Sequence, residues 1–298
     1  VVSGSYAVGV DAGGTNVKGV AVDRDGRILA RASVTAPDDP LAAVVGAVAA
    51  DVVRAAGGAP DAVGLAGPGI ASRDGRSIWW MQGRRDELQG REWSSHLGRS
   101  DPVPVLNDAH AALLGERWLG AAKGCRNVIL LTLGTGVGGA AIVDGRLLQG
   151  HLGRAGHFGH MSLDPDGAPD IVGTPGSLEE AIGECTLERR SRGRFRHTAD
   201  LVAATDDEAR SIWRAAVRAL ACGVASLVNI LDPERVILAG GMIGAGDKLF
   251  APLHDEMARV EWRPHARSVE IVPASAGEYA GAVGAAYHAT RHRDDPAG

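Results

Sequence analysis

Short apolar runs alternate along the chain with longer, interrupted ones. In Tyr6–Val22, YAVGVDAGGTNVKGVAV, the residues Ala7, Val8 and Val10 lead into Asp11, then Gly13-Gly14-Thr15, then Lys18 and a second apolar run. This predicts strand, tight glycine turn, strand. Leu131–Gly145, LTLGTGVGGAAIVDG, repeats the plan around Gly134-Thr135-Gly136 and Gly138-Gly139. GVAVDRDGR at 19–27 and GGAAIVDGR at 138–146 share a shape, and each ends at an Asp-Gly hairpin signal. The pattern therefore predicts two related halves, each offering a glycine hairpin to one cleft.

The remaining pattern fills in around these hairpins. Arg27–Thr35 predicts a third strand, broken by Pro37 and Pro40. Leu41–Ala56 predicts a buried helix, apolar on more than one face and ended by Gly57-Gly58. Asp61–Ala66 and Val103–Leu106 read as strands, and His110–Leu119 as a helix. In the second half Asn127–Leu133, Gly139–Val143, Arg146–Gln149, Arg235–Ala239 and Val269–Val272 read as strands. Leu178–Arg190, Asp206–Leu231, Lys248–Trp262 and Glu278–Arg291 read as helices, and His151–Ser177 as a loop. Strands alternate with helices, and glycine turns sit at strand ends. That predicts an α/β chain of two domains around a nucleotide cleft.

Composition narrows the class. At 298 residues, 45% of them hydrophobic, the chain can form two domains or one large one. A net charge of −5 gives no basic footprint for nucleic acid. Three scattered cysteines, Cys125, Cys185 and Cys222, predict a reducing, cytoplasmic compartment. The first strand begins almost at once, without a signal-like segment, and no apolar run reaches the roughly 18 residues a membrane helix needs.

Candidate chemistry lies at the strand ends. Adjacent glycines let backbone amides approach an anion. Asp11 is placed to hold a hydrated Mg²⁺, and Thr15 and Lys18 add a hydroxyl and a cation. A plain hairpin would explain one such turn; its repetition favours phosphate binding. Gly67-Pro68-Gly69 follows a strand at its carboxyl end, where open α/β sheets bind ligands. Asp108 stands where a strand becomes a helix, a place for a catalytic carboxylate and equally for a helix cap. Trp79 and Trp80 suit sugar stacking and a packed interface equally well.

Taken together, these motifs resemble the ROK family of sugar kinases, within the actin-like ATPase superfamily. DAGGTNVK (Asp11–Lys18) is similar to the family's first phosphate motif, LGTGVGG (Leu133–Gly139) to the second, and ILAGGMI (Ile237–Ile243) to its adenosine motif. Asn107-Asp108 with GERWLGAAKG (Gly115–Gly124) resembles its Asn-Asp motif and following helix, and GRAGHFGH (Gly153–His160) its sugar loop. The resemblance implies a two-domain actin-like (ribonuclease H-like) fold. Residues 1–106 with about 278–298 would form a small domain and 107–277 a large one. It implies ATP and Mg²⁺ as cofactors, a sugar or cyclitol as substrate, and a homodimer. Asp108 would be the general base, with Asn107 holding an adjacent hydroxyl. Asp11, Gly13, Gly14, Thr15, Asn16, Lys18, Gly134, Thr135 and Gly136 would bind phosphates, Asp11 orienting Mg²⁺ through water. Gly240 and Gly241 would face the adenosine; Gly67, His157, His160 and Glu179 would complete the sugar site.

Two departures from the family pattern bear on substrate and metal. His157 stands where many members carry Glu, so a two-way acceptor becomes an imidazole that accepts once and donates once. DIVGTPGS (Asp170–Ser177) replaces the cysteine cluster that often binds zinc, so no zinc site is expected. The spacing of His151, His157, His160 and Asp170 does not by itself forbid a metal, but polar loop contacts are the expected role. Three classes follow: a sugar or cyclitol kinase, a sugar-responsive repressor, and a non-catalytic sugar-sensing module. The ten residues before Asp11 and the acidic balance speak against a repressor. Asp108 and the three nucleotide motifs speak against an idle module. The expected activity is phosphorylation of the primary (6-) hydroxyl of a modified glucose-like compound, such as kanosamine or a C7-cyclitol. Ordinary glucokinase is the alternative, and polyphosphate stays open as a donor.

Overall fold

The computed structural model describes residues 5–36, 41–82 and 86–294. The break assigned to Pro37 and Pro40 lies outside them. The chain divides into two compact units, one of residues 1–124, 149–155 and 274–298, the other of 125–148 and 156–273. The expected domain edge at 106 falls inside the first unit, which runs on through the helix after Asp108 and gains the short segment 149–155.

The first unit begins with strands β1 (Tyr6–Ala12), β2 (Asn16–Asp23) and β3 (Ile28–Thr35), then helix α1 (Leu41–Ala56) and β4 (Ala62–Gly67). A small hairpin, β5 (Ile70–Ala71) and β6 (Ile78–Trp80), and a one-turn helix α2 (Trp93–His96) lead to β7 (Val105–Asn107) and α3 (Asp108–Leu119). Its sheet runs β3-β2-β1-β4-β7; the β1–β2 and β2–β3 pairs are antiparallel, β1–β4 and β4–β7 parallel. One face buries Val8, Val10, Val17 and Leu65 with Val45, Val48 and Val52 of α1. The other face is covered by the C-terminal helix (Ala280–Asp294). Its small residues let backbone meet backbone: a Cβ on Gly284 would lie 1.7 Å from Ala111 O of α3, and one on Gly9 of β1 would lie 1.9 Å from Ala282 O.

The second unit carries β8 (Val128–Leu133), β9 (Val137–Val143) and β10 (Arg146–Leu147). Helices α4 (Leu178–Ile182), α5 (Leu187–Arg190), α6 (Thr198–Ala203) and α7 (Asp207–Leu231) follow, then β11 (Arg235–Ala239), α8 (Asp247–Val260) and β12 (Glu270–Pro273). The C-terminal helix, in the first unit, is then α9. The sheet order β10-β9-β8-β11-β12 repeats that of the first unit strand for strand, with the same antiparallel and parallel pairs. The two halves inferred from the repeated hairpins are thus two copies of one sheet topology.

Helix α7 is long and apolar enough to cross a membrane by length and composition. However, Val217, Leu220, Ala221 and Val224 on it are fully buried in the second unit's core beside Leu131, Leu238 and Leu253. The predicted helix over 178–190 is interrupted. Gly183 turns extended (φ −56°, ψ 142°), and the amides of Glu184 and Cys185 bond to Gly134 O and Thr135 O, not to the preceding turn. Helix α6, six residues long, and the β5–β6 hairpin were not predicted.

Candidate active site

In the first unit, β1 and β2 meet at Gly13-Gly14-Thr15, and Gly14 and Thr15 stand exposed at the tip. A Cβ on Gly14 would meet nothing within 4 Å, so the backbone there faces open space. Asp11, one residue before the end of β1, points its carboxylate at the first turn of α9. A Cβ on Gly281 would lie 2.3 Å from Asp11 Oδ2, so only glycine leaves room for it. Oδ1 of Asp11 is buried without a hydrogen-bond partner among the described residues. Burial, and then the charge of Asp108, push the Asp11 carboxyl up to about 7 against the opposing pull of Lys18. Such a paired, under-satisfied carboxylate is a fit for a hydrated divalent cation.

Asn107 ends β7 and caps α3: its Oδ1 accepts from Ala109 N at 2.9 Å and His110 N at 3.3 Å, and its Nδ2 donates to Gly69 O at 3.0 Å. The cap position considered for Asp108 therefore belongs to Asn107. Asp108 is the first helical residue, accepting from Ala109 N at 2.8 Å. Burial raises its carboxyl above the ordinary range, although bonds from Ala109 and Asn107 pull the other way. Gly67, at the end of β4, pairs in register with Asn107, and a Cβ there would meet nothing within 4 Å. The first unit thus brings Asp11, Asp108, Asn107 and Gly67 to the carboxyl ends of its parallel strands. Lys18 departs from its expected place at the phosphates. It sits opposite Asp11 in the ladder, but its Nζ is 3.0 Å from Glu278 Oε2 and 3.1 Å from Glu278 O, beside the Tyr279 ring.

In the second unit, β8 and β9 meet at Gly134-Thr135-Gly136, closed by Gly134 N donating to Gly136 O at 3.0 Å. Glu179 of α4, expected at the sugar, reaches this turn: its Oε2 accepts from Val137 N at 2.8 Å and occupies the space a Cβ on Gly136 would need. At the end of β11, Gly240 adopts φ +88° with its α-carbon against Leu133 O, where a Cβ would lie at 2.3 Å. Gly241 follows with open space before it. Gly134, Thr135 and Gly241 line one cavity of about 720 Å³ with Glu184, Thr198 and Lys248. Its size suits a nucleoside, and all of it lies within the second unit. Gly241, expected at the adenosine, lines this cavity; Glu184 and Thr198 gave no sign in the sequence, because six-residue α6 and the break at Gly183 leave no periodic signal.

His157, His160 and Asp170 also lie in this unit, whereas His151 and the first loop residues, 153–155, belong to the first. His157 is partly buried at the head of a single 3₁₀ turn that holds His160. His160 Nδ1 lies 2.8 Å from Oδ2 of Asp170, a carboxylate with 1% of its side chain exposed. The other oxygen, Oδ1, accepts from Val172 N at 3.0 Å and Thr174 N at 2.9 Å. Burial alone would raise the Asp170 carboxyl, but these bonds, led by that from His160, hold it below its usual range. No three His, Cys, Asp or Glu side chains come close enough to share a metal ion among the described residues.

The ROK family model matches residues 7–292. The chain belongs to the ROK family. It is 33% identical over 310 residues to a glucokinase of Streptomyces coelicolor, covering 94% of this chain and 96% of that protein. Its structure is similar to that of a ROK hexokinase from Thermus thermophilus, with TM-score 0.83 and 32% identity over 97% of this chain and 99% of that one. It is also similar to a ROK family glucokinase from Streptomyces griseus in complex with glucose and AMPPNP, with TM-score 0.81 and 28% identity over 96% and 100% of the two chains. The repeated sheets are those of the actin-like two-domain ATPase fold, and the chain is a ROK sugar kinase.

Proposed function

We propose that this ROK sugar kinase transfers the γ-phosphoryl group of ATP to the primary hydroxyl of a glucose-like compound altered at one ring position. The observation that carries the reaction is Asp108: an enclosed carboxylate at a strand end, its proton affinity raised by burial, next to a rigidly held Asn107. Phosphoryl transfer asks little covalent work of a protein, which positions reactants and neutralises charge. Asp108 accepts the proton of the attacking hydroxyl, a role typically worth ~10²–10⁴-fold. Asn107, held to Gly69 and beside Asp108, orients a neighbouring hydroxyl. The amides at Gly14 and at Gly134–Gly136, with Thr15 and Thr135, hold phosphate oxygens. Asp11 would hold a hydrated Mg²⁺, which would supply neutralising charge at the phosphates.

His157 motivates the altered substrate. A carboxylate suits a pair of hydroxyls; an imidazole suits an amine, a carbonyl or a cyclitol carbon. Sites built for one hydrogen-bond pattern reject another because buried polar groups are left unpaired. An amino sugar such as kanosamine, or a C7-cyclitol, meets this description. The glucokinase at 33% identity favours a second reading, in which glucose itself is the substrate. Comparing kcat/KM for glucose, amino sugars and cyclitols in the parent and in His157→Glu separates the two. We expect glucose to be inferior in the parent and improved in the variant. Glucose giving the highest value in the parent would make the protein an ordinary glucokinase.

A further inference from the structure

We infer that Glu184 binds the ribose diol of the nucleotide and makes the phosphoryl donor of this enzyme a ribonucleotide. The inference rests on ATP being the donor and concerns how the second unit recognises it.

The cavity is lined by the glycine turn, Gly134 and Thr135. Glu184 follows directly: its amide bonds to Gly134 O at 3.1 Å, and the next amide, of Cys185, to Thr135 O at 2.8 Å. Its carboxylate then reaches across to α6, where Oε2 accepts from Thr198 N at 2.7 Å and Oε1 lies 3.6 Å from His197 Nδ1. Val202, Ala203, Met242 and Ala245 also line the cavity and offer apolar surface to a flat base. Glu184 is thus tied by its backbone to the phosphate turn and by its carboxylate to α6, which carries part of that apolar surface, and a nucleotide carries its ribose between phosphate and base.

The chemistry agrees with the position. Burial works to raise the Glu184 carboxyl, but bonds from Thr198 and His197 outweigh it and hold it below its ordinary range. It is thus an anion and can only accept hydrogen bonds. It would repel phosphate oxygens, and a group with two adjacent hydroxyl donors would satisfy it. About a third of the side chain, 34%, is exposed, so acceptor capacity remains toward the cavity.

The test is calorimetric binding of ADP, 2′-deoxyADP, IDP and inorganic tripolyphosphate, without sugar, to the parent and to Glu184→Ala and Glu184→Gln. The parent should prefer ADP over 2′-deoxyADP by about tenfold, the usual value of one hydrogen bond to a charged group. Glu184→Ala should lose that preference by weakening ADP alone, with the ADP to IDP ratio and tripolyphosphate binding unchanged. Glu184→Gln keeps an acceptor for Thr198 N, so it reports even if the alanine variant folds poorly; its preference should fall below about threefold. Equal binding of ADP and 2′-deoxyADP in the parent would overturn the inference. So would a preference that survives both substitutions, or a change seen only in the ADP to IDP ratio. Because sugar is absent, failure of every sugar to be phosphorylated would sink the proposed reaction and leave this result standing.

Discussion

Asp11 and Asp108 are two carboxyl groups of the first unit whose proton affinities are both raised, each chiefly by burial, with the charge of Asp108 adding to the shift of Asp11. Asp108→Asn should lower kcat by at least ~10²-fold while sugar binding is largely kept. A variant with near-normal kcat would remove Asp108 from the reaction. The same raised affinity fixes a pH dependence. A carboxyl whose folded value lies above its unfolded one is protonated as pH falls, so the base is lost at higher pH than for an ordinary aspartate. The acid limb of kcat/KM should thus begin well above the usual carboxylate range and disappear in Asp108→Asn. It should also move to lower pH as Mg²⁺ rises, because a cation opposes protonation of Asp11 at about 7. By linkage, the metal-free protein gains stability as pH falls from about 7 toward 4, the folded state binding the extra protons. The sequence made the Asp-Gly-Gly turn and the Asn-Asp pair legible, since each needs only local spacing. It could not show that Asn107, not Asp108, takes the cap, nor that Lys18 is drawn to Glu278, 260 positions away.

Among the elements, the segment from His160 to Ser177 replaces what could have been a metal-held loop with one held by hydrogen bonds. Asp170 gathers His160 Nδ1, Val172 N and Thr174 N, while Leu163 N and Asp164 N bond to Gly176 O, and Ser177 caps α4 through Glu180 N at 3.1 Å. A carboxylate already filled in this way has little left for a metal. We predict that the protein folds and works without structural zinc. Prolonged chelation should leave Tm and activity unchanged, and one tightly held zinc per chain, lost together with activity, would refute this. Asp170→Asn should cost about 1–3 kcal/mol, because a single amide oxygen cannot serve all three donors. Its effect should fade in acid, since a depressed carboxyl stabilises only above its own titration range. The missing cysteines were plain in the sequence. The compensating role of Asp170 was not, because it lies in bonds across a loop without periodic pattern.

At the scale of the molecule, duplication explains why so much was legible. Two hairpins of one shape announced two sheets of one topology, and the strands of both follow the apolar runs to within a few residues. The boundary was less legible because the first unit is assembled from three stretches of chain. What joins them is packing and bonding that only the fold reveals. Glu116 of α3 is fully buried, and its carboxylate collects amides from two of those stretches: Ala121 N at 2.7 Å, Ser275 N at 3.0 Å and Ala276 N at 2.8 Å. It fastens the returning chain to α3 just before α9 covers the sheet. A buried carboxylate satisfied by several amides stabilises; removing it strands donors that water cannot reach. Glu116→Ala should therefore cost about 2–3 kcal/mol or more and lower Tm by several degrees. Glu116→Gln should be nearly as harmful, because its amide nitrogen would face donors. Hydrogen exchange should show the loss concentrated in α9 and β1, with β8 and β11 of the second unit still protected. A variant of unchanged Tm, or uniform loss of protection through both units, would show that the return of the chain is secured by helix packing alone.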